Sequence, residues 1–177
     1  MKAVIDTNVL LVANQQHAEA SPDCVECCVE RLLDIQRNGV TVIDDQFRIL
    51  EEYQHKTRLD PPKGVGDVFL KWLLRNAYDR AHVEQVSITS VGPDEYAEFP
   101  DPRLQPAFDA PDRKFAAVAN SHPDKPPIWQ AADCKWLDWW PALQAKGITV
   151  DFLCPDDAGR FYAKKFPGQP VPAVPKG

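Results

Sequence analysis

The feature that most constrains this chain is its opening. A short β-branched apolar run, Ala3-Val4-Ile5, ends at Asp6-Thr7-Asn8, and an apolar pattern of helical character (Val9, Leu10, Leu11, Val12) resumes at once. Apolar runs with few polar interruptions read as strands buried on both faces, which is the mark of a parallel sheet covered by helices. Asp6 then stands at the carboxyl end of a buried strand. In open α/β sheets the ligand crevice lies outside those ends. Thr7 or Asn8 is expected to cap the helix that follows, because a side-chain oxygen there accepts the orphan N–H groups of a first turn. A capping role is also the plain alternative for Asp6.

The rest of the chain repeats the strand-to-helix alternation. Residues 2–6 read as the first strand and about 7–15 as a short helix. Ser21-Pro22 starts a second helix, with a hydroxyl cap and proline in the first helical position. Val25, Val29, Leu32, Leu33 and Ile35 continue it at helical spacing, and Asn38-Gly39 stops it. Val40 to Ile43 is a second buried strand. Asp44-Asp45 ends that strand and is expected to cap a third helix holding Ile49, Leu50 and Tyr53, with Glu51 and Glu52 among them. A fourth helix carries Val68, Phe69, Trp72 and Leu73 and ends near Asp79. Residues 83–89 alternate as a half-buried strand does. Residues 92–111, rich in Pro and Asp, read as a long surface connection. Beyond it come a helix at 113–120, a strand at 127–132 ending at Asp133, a helix with Trp136, Leu137, Trp140 and Leu143, and a last strand at 148–153.

This order implies crossover connections and a mainly parallel central sheet with helices on both faces, a three-layer α/β/α sandwich. A single domain over residues 1–154 is expected. Residues 155–177, with prolines at 155, 167, 170, 172 and 175, are expected to form a proline-rich, partly disordered extension.

Composition narrows the function classes. No apolar run is long enough to span a membrane, and no basic stretch precedes a long apolar segment as in a signal peptide, so a cytoplasmic location is expected. Five cysteines stand at 24, 27, 28, 134 and 154. Cys24-x-x-Cys27-Cys28 approaches metal-ligand spacing without a second pair or a nearby His to complete a zinc set, so these are read as small buried thiols packing a helix. The four histidines are scattered and are read as surface or capping groups. Trp129, Trp136, Trp139 and Trp140 are read as core, with base stacking or a dimer interface as the alternatives. The formal net charge of −6 argues against a broad basic face for nucleic acid. It does not argue against a nucleic-acid enzyme, because cations bound by an acidic cluster invert its local field.

Such a cluster is what the expected architecture assembles. Asp6 and Asp133 end strands, Asp112 begins a helix, and Glu52 or Glu51 reaches back from the helix after the second strand. Carboxylates packed together raise one another's pKa, and hard divalent ions relieve the repulsion. Mg²⁺ takes oxygen ligands, and two such ions about 4 Å apart promote in-line phosphoryl displacement.

These residues also carry a family resemblance. Ile5-Asp6-Thr7-Asn8-Val9-Leu10, Ile49-Leu50-Glu51-Glu52-Tyr53, Asp112-Arg113-Lys114-Phe115-Ala116-Ala117-Val118-Ala119 and Ala132-Asp133-Cys134-Lys135-Trp136 resemble, in order, the four motifs of PIN-domain nucleases. The resemblance covers about residues 1–154. It implies a PIN-like fold and Mg²⁺- or Mn²⁺-dependent hydrolysis of RNA phosphodiesters, with Asp6, Glu52, Asp112 and Asp133 holding the metal and Glu51 as the alternative to Glu52. It further implies Thr7 and Asn8 as residues that orient Asp6 or the attacking water, and a homodimer. Many small bacterial members are toxins of toxin–antitoxin pairs, so an antitoxin is an implied partner. Arg113, Lys114 and Lys135 are candidate RNA contacts. Lys135 marks a departure, since the last motif often carries another acid there. The alternatives are a catalytically idle PIN-like module that binds RNA or protein, and a phosphohydrolase of the haloacid dehalogenase type. The latter uses Asp-x-Asp, and here Asn8 stands in the third position.

Overall fold

The computed structural model describes residues 1–176. Its strands are β1 (Lys2–Ile5), β2 (Val40–Asp44), β3 (Val83–Val86), β4 (Ser90–Gly92), β5 (Glu95–Tyr96), β6 (Ile128–Gln130) and β7 (Val150–Phe152). Its α-helices are α1 (Thr7–Ala13), α2 (Pro22–Asn38), α3 (Arg48–Lys56), α4 (Val65–Arg75), α5 (Arg113–Ser121), α6 (Trp136–Gln144) and α7 (Pro155–Lys165). Five strands form one sheet in the order β3-β2-β1-β6-β7, and every pairing in it is parallel. With α5 packed across β1, β2 and β6, the arrangement is consistent with a three-layer sandwich. Parallel strands need crossovers, and the crossover helices cover the sheet.

The opening run sits where its composition sends it. β1 is the central strand, and Ala3, Val4 and Ile5 are fully buried. From β1 the chain builds outward to β2 and β3. It then returns to the other side of β1 for β6 and continues to β7. The strand order therefore reverses between β1 and β6, which places the switch-point crevice at the carboxyl ends of those two strands. Asp6 follows one and Asp133 follows the other.

Several local expectations are corrected. The cap of α1 is Asp6 rather than Thr7 or Asn8: its side chain accepts from the Asn8 N–H at 2.8 Å. Helix α4 ends at Arg75, short of Asp79. Residues 92–111 are not a structureless surface connection. They begin at the last residue of β4 and carry the turn and second strand of the β4–β5 hairpin, then a 3₁₀ turn at Gln105–Ala107 and the start of another at Ala110–Asp112, and they bury Tyr96, Phe99 and Phe108. Phe108 stacks on Trp139, and its ring edge meets Trp136. Three aromatics spaced through a polar stretch are the signal the Pro and Asp content obscured.

The expected extension holds α7, an eleven-residue helix that buries Ala158, Phe161 and Tyr162. Beyond it the described residues have no regular secondary structure, although the Trp140 indole donates to the Ala173 carbonyl at 2.9 Å. Gly177 of that expected extension lies outside the described residues. The cysteines are not all thiols: Cys24 on α2 and Cys154 at the start of α7 are joined in a disulfide, while Cys27, Cys28 and Cys134 are free. Of the two roles expected for the histidines, His122 takes capping rather than the surface: it is the buried C-cap of α5, its Nδ1 accepts from the Asp124 N–H at 3.0 Å, and its Nε2 bonds Glu84 at 2.5 Å. Trp129 and Trp136 are among the largest fully buried side chains. Among the described residues, no helix is long and apolar enough to cross a membrane.

Candidate active site

Asp6 is fixed by its own backbone. Its N–H donates to the Trp129 carbonyl of β6 at 3.0 Å, so the residue is locked to the neighbouring strand as β1 ends. One carboxylate oxygen, Oδ1, caps α1. The other, Oδ2, is buried and has no hydrogen-bond partner among the described residues. The residue is only 3% exposed. A buried polar atom without a partner costs about 1–3 kcal/mol, more when charged.

The other acids surround it. Burial first, then the charges of Asp112 and Asp133, push the Asp6 carboxyl well above the usual carboxylate range; the Asn8 N–H opposes this and Glu52 adds to it. Asp112 is pushed up to about 7 by burial and by Asp133, Asp109 and Glu52, against the pull of Lys114. Asp133 is raised chiefly by burial, offset in part by the backbone N–H and the ammonium of Lys135 and by Lys165. The structure thus brings Asp6, Glu52, Asp112 and Asp133 within electrostatic reach of one another, from β1, α3, the turn before α5 and the turn after β6. Asp109, not singled out from the sequence, is a fifth member. Its only signal was its place three residues before Asp112, on the next turn of the chain.

Two of these acids are already compensated. Glu52 accepts from the Thr7 hydroxyl through Oε2, and its Oε1 lies 3.1 Å from Lys114 Nζ. Asp109 pairs with Lys135. Asp6, Asp112 and Asp133 have no basic side chain within ion-pair distance among the described residues. Three uncompensated carboxyls therefore share the crevice. Oxygen donors are what a hard divalent cation takes, but among the described residues no three of these carboxylates bring an oxygen each within 4.8 Å of one another, so they surround the crevice without forming a closed ligand set.

The remaining expected site residues have definite placements. Thr7 is buried and holds Glu52 rather than Asp6. The Asn8 side chain accepts from the Ala132 N–H at 2.7 Å, tying the ends of β1 and β6 together. Arg113 donates to the carbonyls of Phe108 and Asp94, so it braces the 92–111 segment. Lys114 is buried and also donates to the Pro111 carbonyl at 2.5 Å. Glu51 is exposed and does not reach the cluster. Beneath the site, the buried Tyr53 hydroxyl donates to the Ile5 carbonyl, anchoring α3 to the last residue of β1.

Two grooves adjoin the acids. One meets them at Asp133 and is lined by Asn8, His17, Phe161, Lys164 and Lys165. The other meets them at Glu52 and includes Arg48, His55, Lys56 and Lys114. Both grooves carry mixed charge: Glu19 pairs with Lys164 in the first, and Glu51, Glu52 and Asp94 stand among Arg48, Lys56 and Lys114 in the second. No protein-family profile, curated protein or solved structure matched the chain.

Proposed function

We propose that the protein is a divalent-metal-dependent ribonuclease that hydrolyses RNA phosphodiester bonds at the crevice between β1 and β6. The observation that carries this reading is the trio Asp6, Asp112 and Asp133. They are carboxyls without basic partners, and one of them presents a buried oxygen with nothing to bind. Such a set is costly as it stands and becomes favourable when a hard cation fills it.

Asp6, Asp112 and Asp133 would hold the ion, with Glu52 beside them. A bound Mg²⁺ or Mn²⁺ supplies Lewis-acid stabilisation to a phosphodiester oxyanion and activates water near neutral pH. The chain's own residues do the rest. Thr7 and Lys114 hold Glu52 aimed at the cluster. Asn8 holds the two strand ends at fixed separation. Lys165 on one flank and Lys56 on the other, neither in an ion pair among the described residues, neutralise phosphates on either side of the reacting one. Lys135, where the resembled motif often has an acid, is bound to Asp109 and neutralises it at the rim. A homodimer and an antitoxin partner follow from the same resemblance and belong to this proposal.

The test is cleavage of single-stranded RNA by purified protein with Mn²⁺, with EDTA, and with the Asp6→Asn variant. Cleavage that needs the ion and disappears in the variant supports the reading. Cleavage surviving both chelation and Asp6→Asn overturns it. An intact RNA alongside tight Mn²⁺ binding would mean an idle binding module instead.

A further inference from the structure

Away from the acids, on the other side of α1 in the sequence, the structure gathers three sulfurs. Cys24 and Cys28 lie one turn apart on the same face of α2, and Cys154 is the cap residue of α7. The three Sγ atoms lie within 4.8 Å of one another, and all three residues are buried. Cys28 Sγ is 3.9 Å from Cys154 Sγ. With metal–sulfur bonds of about 2.3 Å, the sulfur–sulfur edge of a thiolate-coordinated ion is about 4 Å. No other Cys, His, Asp or Glu joins the group among the described residues.

We propose that Cys24, Cys28 and Cys154 form a second metal site, which in the reduced protein holds one thiophilic d¹⁰ cation, Cu(I) ahead of Zn(II). In the oxidised form Cys24 and Cys154 are joined and Cys28 is a free thiol. Two equivalents of a thiol reductant convert that disulfide to two thiols and leave as the reductant's own disulfide. Coordination then releases the thiol protons to solvent. In a reducing compartment disulfides are rare, and the cluster there is three thiols.

The surroundings favour sulfur bound to a metal over sulfur acting as a nucleophile. Burial first, with Cys27 and Asp157 adding, pushes the Cys28 thiol up to about 12. It is therefore idle toward disulfide exchange, which needs thiolate, whereas a coordinating ion deprotonates a thiol outright. The charge of a thiolate set is offset by two helix N-termini. Cys24 lies in the first turn of α2 and Cys154 at the start of α7, so both positive dipole ends meet at the cluster. The nearby Asp157 carboxylate is occupied: it accepts from the Ser21 N–H at 2.7 Å and hydroxyl at 2.8 Å, and lies 3.4 Å from Arg160. Soft thiolates select Cu(I) or Zn. Structural zinc takes four ligands almost always, and here three are present in a site closed to solvent, which ranks Cu(I) first. This site does not depend on the acidic crevice or on the ribonuclease reading.

The test uses full-length protein carrying Cys27→Ser and Cys134→Ser, reduced and freed of reductant without oxygen. Cu(I) is titrated while the thiolate-to-copper ultraviolet band is followed, and Zn(II) is titrated separately against a chelating dye. The expected result is one Cu(I) per chain. Adding Cys28→Ser is expected to weaken binding by on the order of 100-fold, since even outer-shell changes cost about 10–100-fold, while the Cys24–Cys154 disulfide still forms on oxidation. Saturable Zn(II) binding with the same Cys28 dependence supports the site and assigns it to the divalent ion. Binding of neither ion, binding unchanged by Cys28→Ser, or loss of helical circular dichroism on reduction alone overturns it.

Discussion

Asp112→Asn is the variant that most directly separates electrostatic cost from packing. In the folded protein the Asp112 carboxyl is pushed from its ordinary 3.8 to about 7, by burial and by Asp133, Asp109 and Glu52. The folded state therefore binds more protons than the unfolded one between about pH 4 and 7. Stability falls as pH rises through that window and levels off above it. A displacement of roughly three pH units corresponds to about 4 kcal/mol at full strength. The side chain is partly exposed, so solvent screening brings the expected cost nearer 2 kcal/mol. The Asp112 side chain makes no capping hydrogen bond on α5, so replacing it with the isosteric amide removes the charge and little else. In EDTA at pH 8, Asp112→Asn should therefore be more stable than wild type by about 2 kcal/mol, or a rise of about 4–8 °C in Tm for a chain of this size. The gap should close towards pH 4. With a divalent cation at about 100 times its Kd, the wild type gains about 2.7 kcal/mol by mass action, and the variant gains much less. Urea or thermal unfolding at pH 4, 6 and 8, with and without Mn²⁺, reads all of this. A variant no more stable than wild type at pH 8 in EDTA, or a gap that does not change with pH, would refute the reasoning.

Two further predictions concern how α1 and α4 are joined behind the site. A Cβ on Gly66 would lie 2.3 Å from the Leu10 carbonyl oxygen and 2.9 Å from Asn14 Oδ1; Gly66→Ala should cost about 1–3 kcal/mol in urea unfolding, and an unchanged midpoint would contradict this close approach. Asp67 accepts from the N–H groups of Arg58, Lys63 and Gly64 and from the Asn14 amide. Burial pushes its carboxyl up, but these donors outweigh burial and hold it below 3.8. Its stabilisation is present above about pH 4 and lost as pH falls below that. Asp67→Asn should cost about 2–3 kcal/mol at pH 7 and progressively less in acid; a loss that does not shrink in acid would contradict the assignment.

The sheet was legible because the strands are buried on both faces. Val4-Ile5, Val42-Ile43 and Ile128-Trp129 are apolar runs cut off by polar residues, and each occupies the expected place. Asp6 and Asp133 were legible as strand ends and Asp112 as a helix start, positions that a parallel sheet sends to one edge, whereas Glu52 lies inside α3 and could be read only as reaching back from it, with Glu51 as the alternative. What the sequence hid was pairing. That Lys114 serves Glu52 and Lys135 serves Asp109, leaving three acids uncompensated, depends on side-chain reach across elements more than 20 residues apart. The 92–111 segment was obscured because its buried aromatics follow no period and hold the core through a hairpin and 3₁₀ turns. Helix α7 was obscured by the prolines around it. Pro155 is a helix starter in the first position, and the apolar pair Phe161-Tyr162 was too short a pattern to stand out. The disulfide joins residues 130 positions apart, a relation no spacing rule encodes.

The central claim, that Asp6, Asp112 and Asp133 together hold a hard cation, is tested most directly by Mn²⁺ binding at pH 7.5, followed by calorimetry and by the electron paramagnetic resonance of the free ion. Saturable binding by the wild type, weakened by a factor of about 10 or more in Asp6→Asn and unaffected by Glu51→Gln, is the predicted result. Wild-type protein that leaves the Mn²⁺ signal at its free intensity, or an Asp6→Asn variant that binds as tightly as wild type, would contradict it.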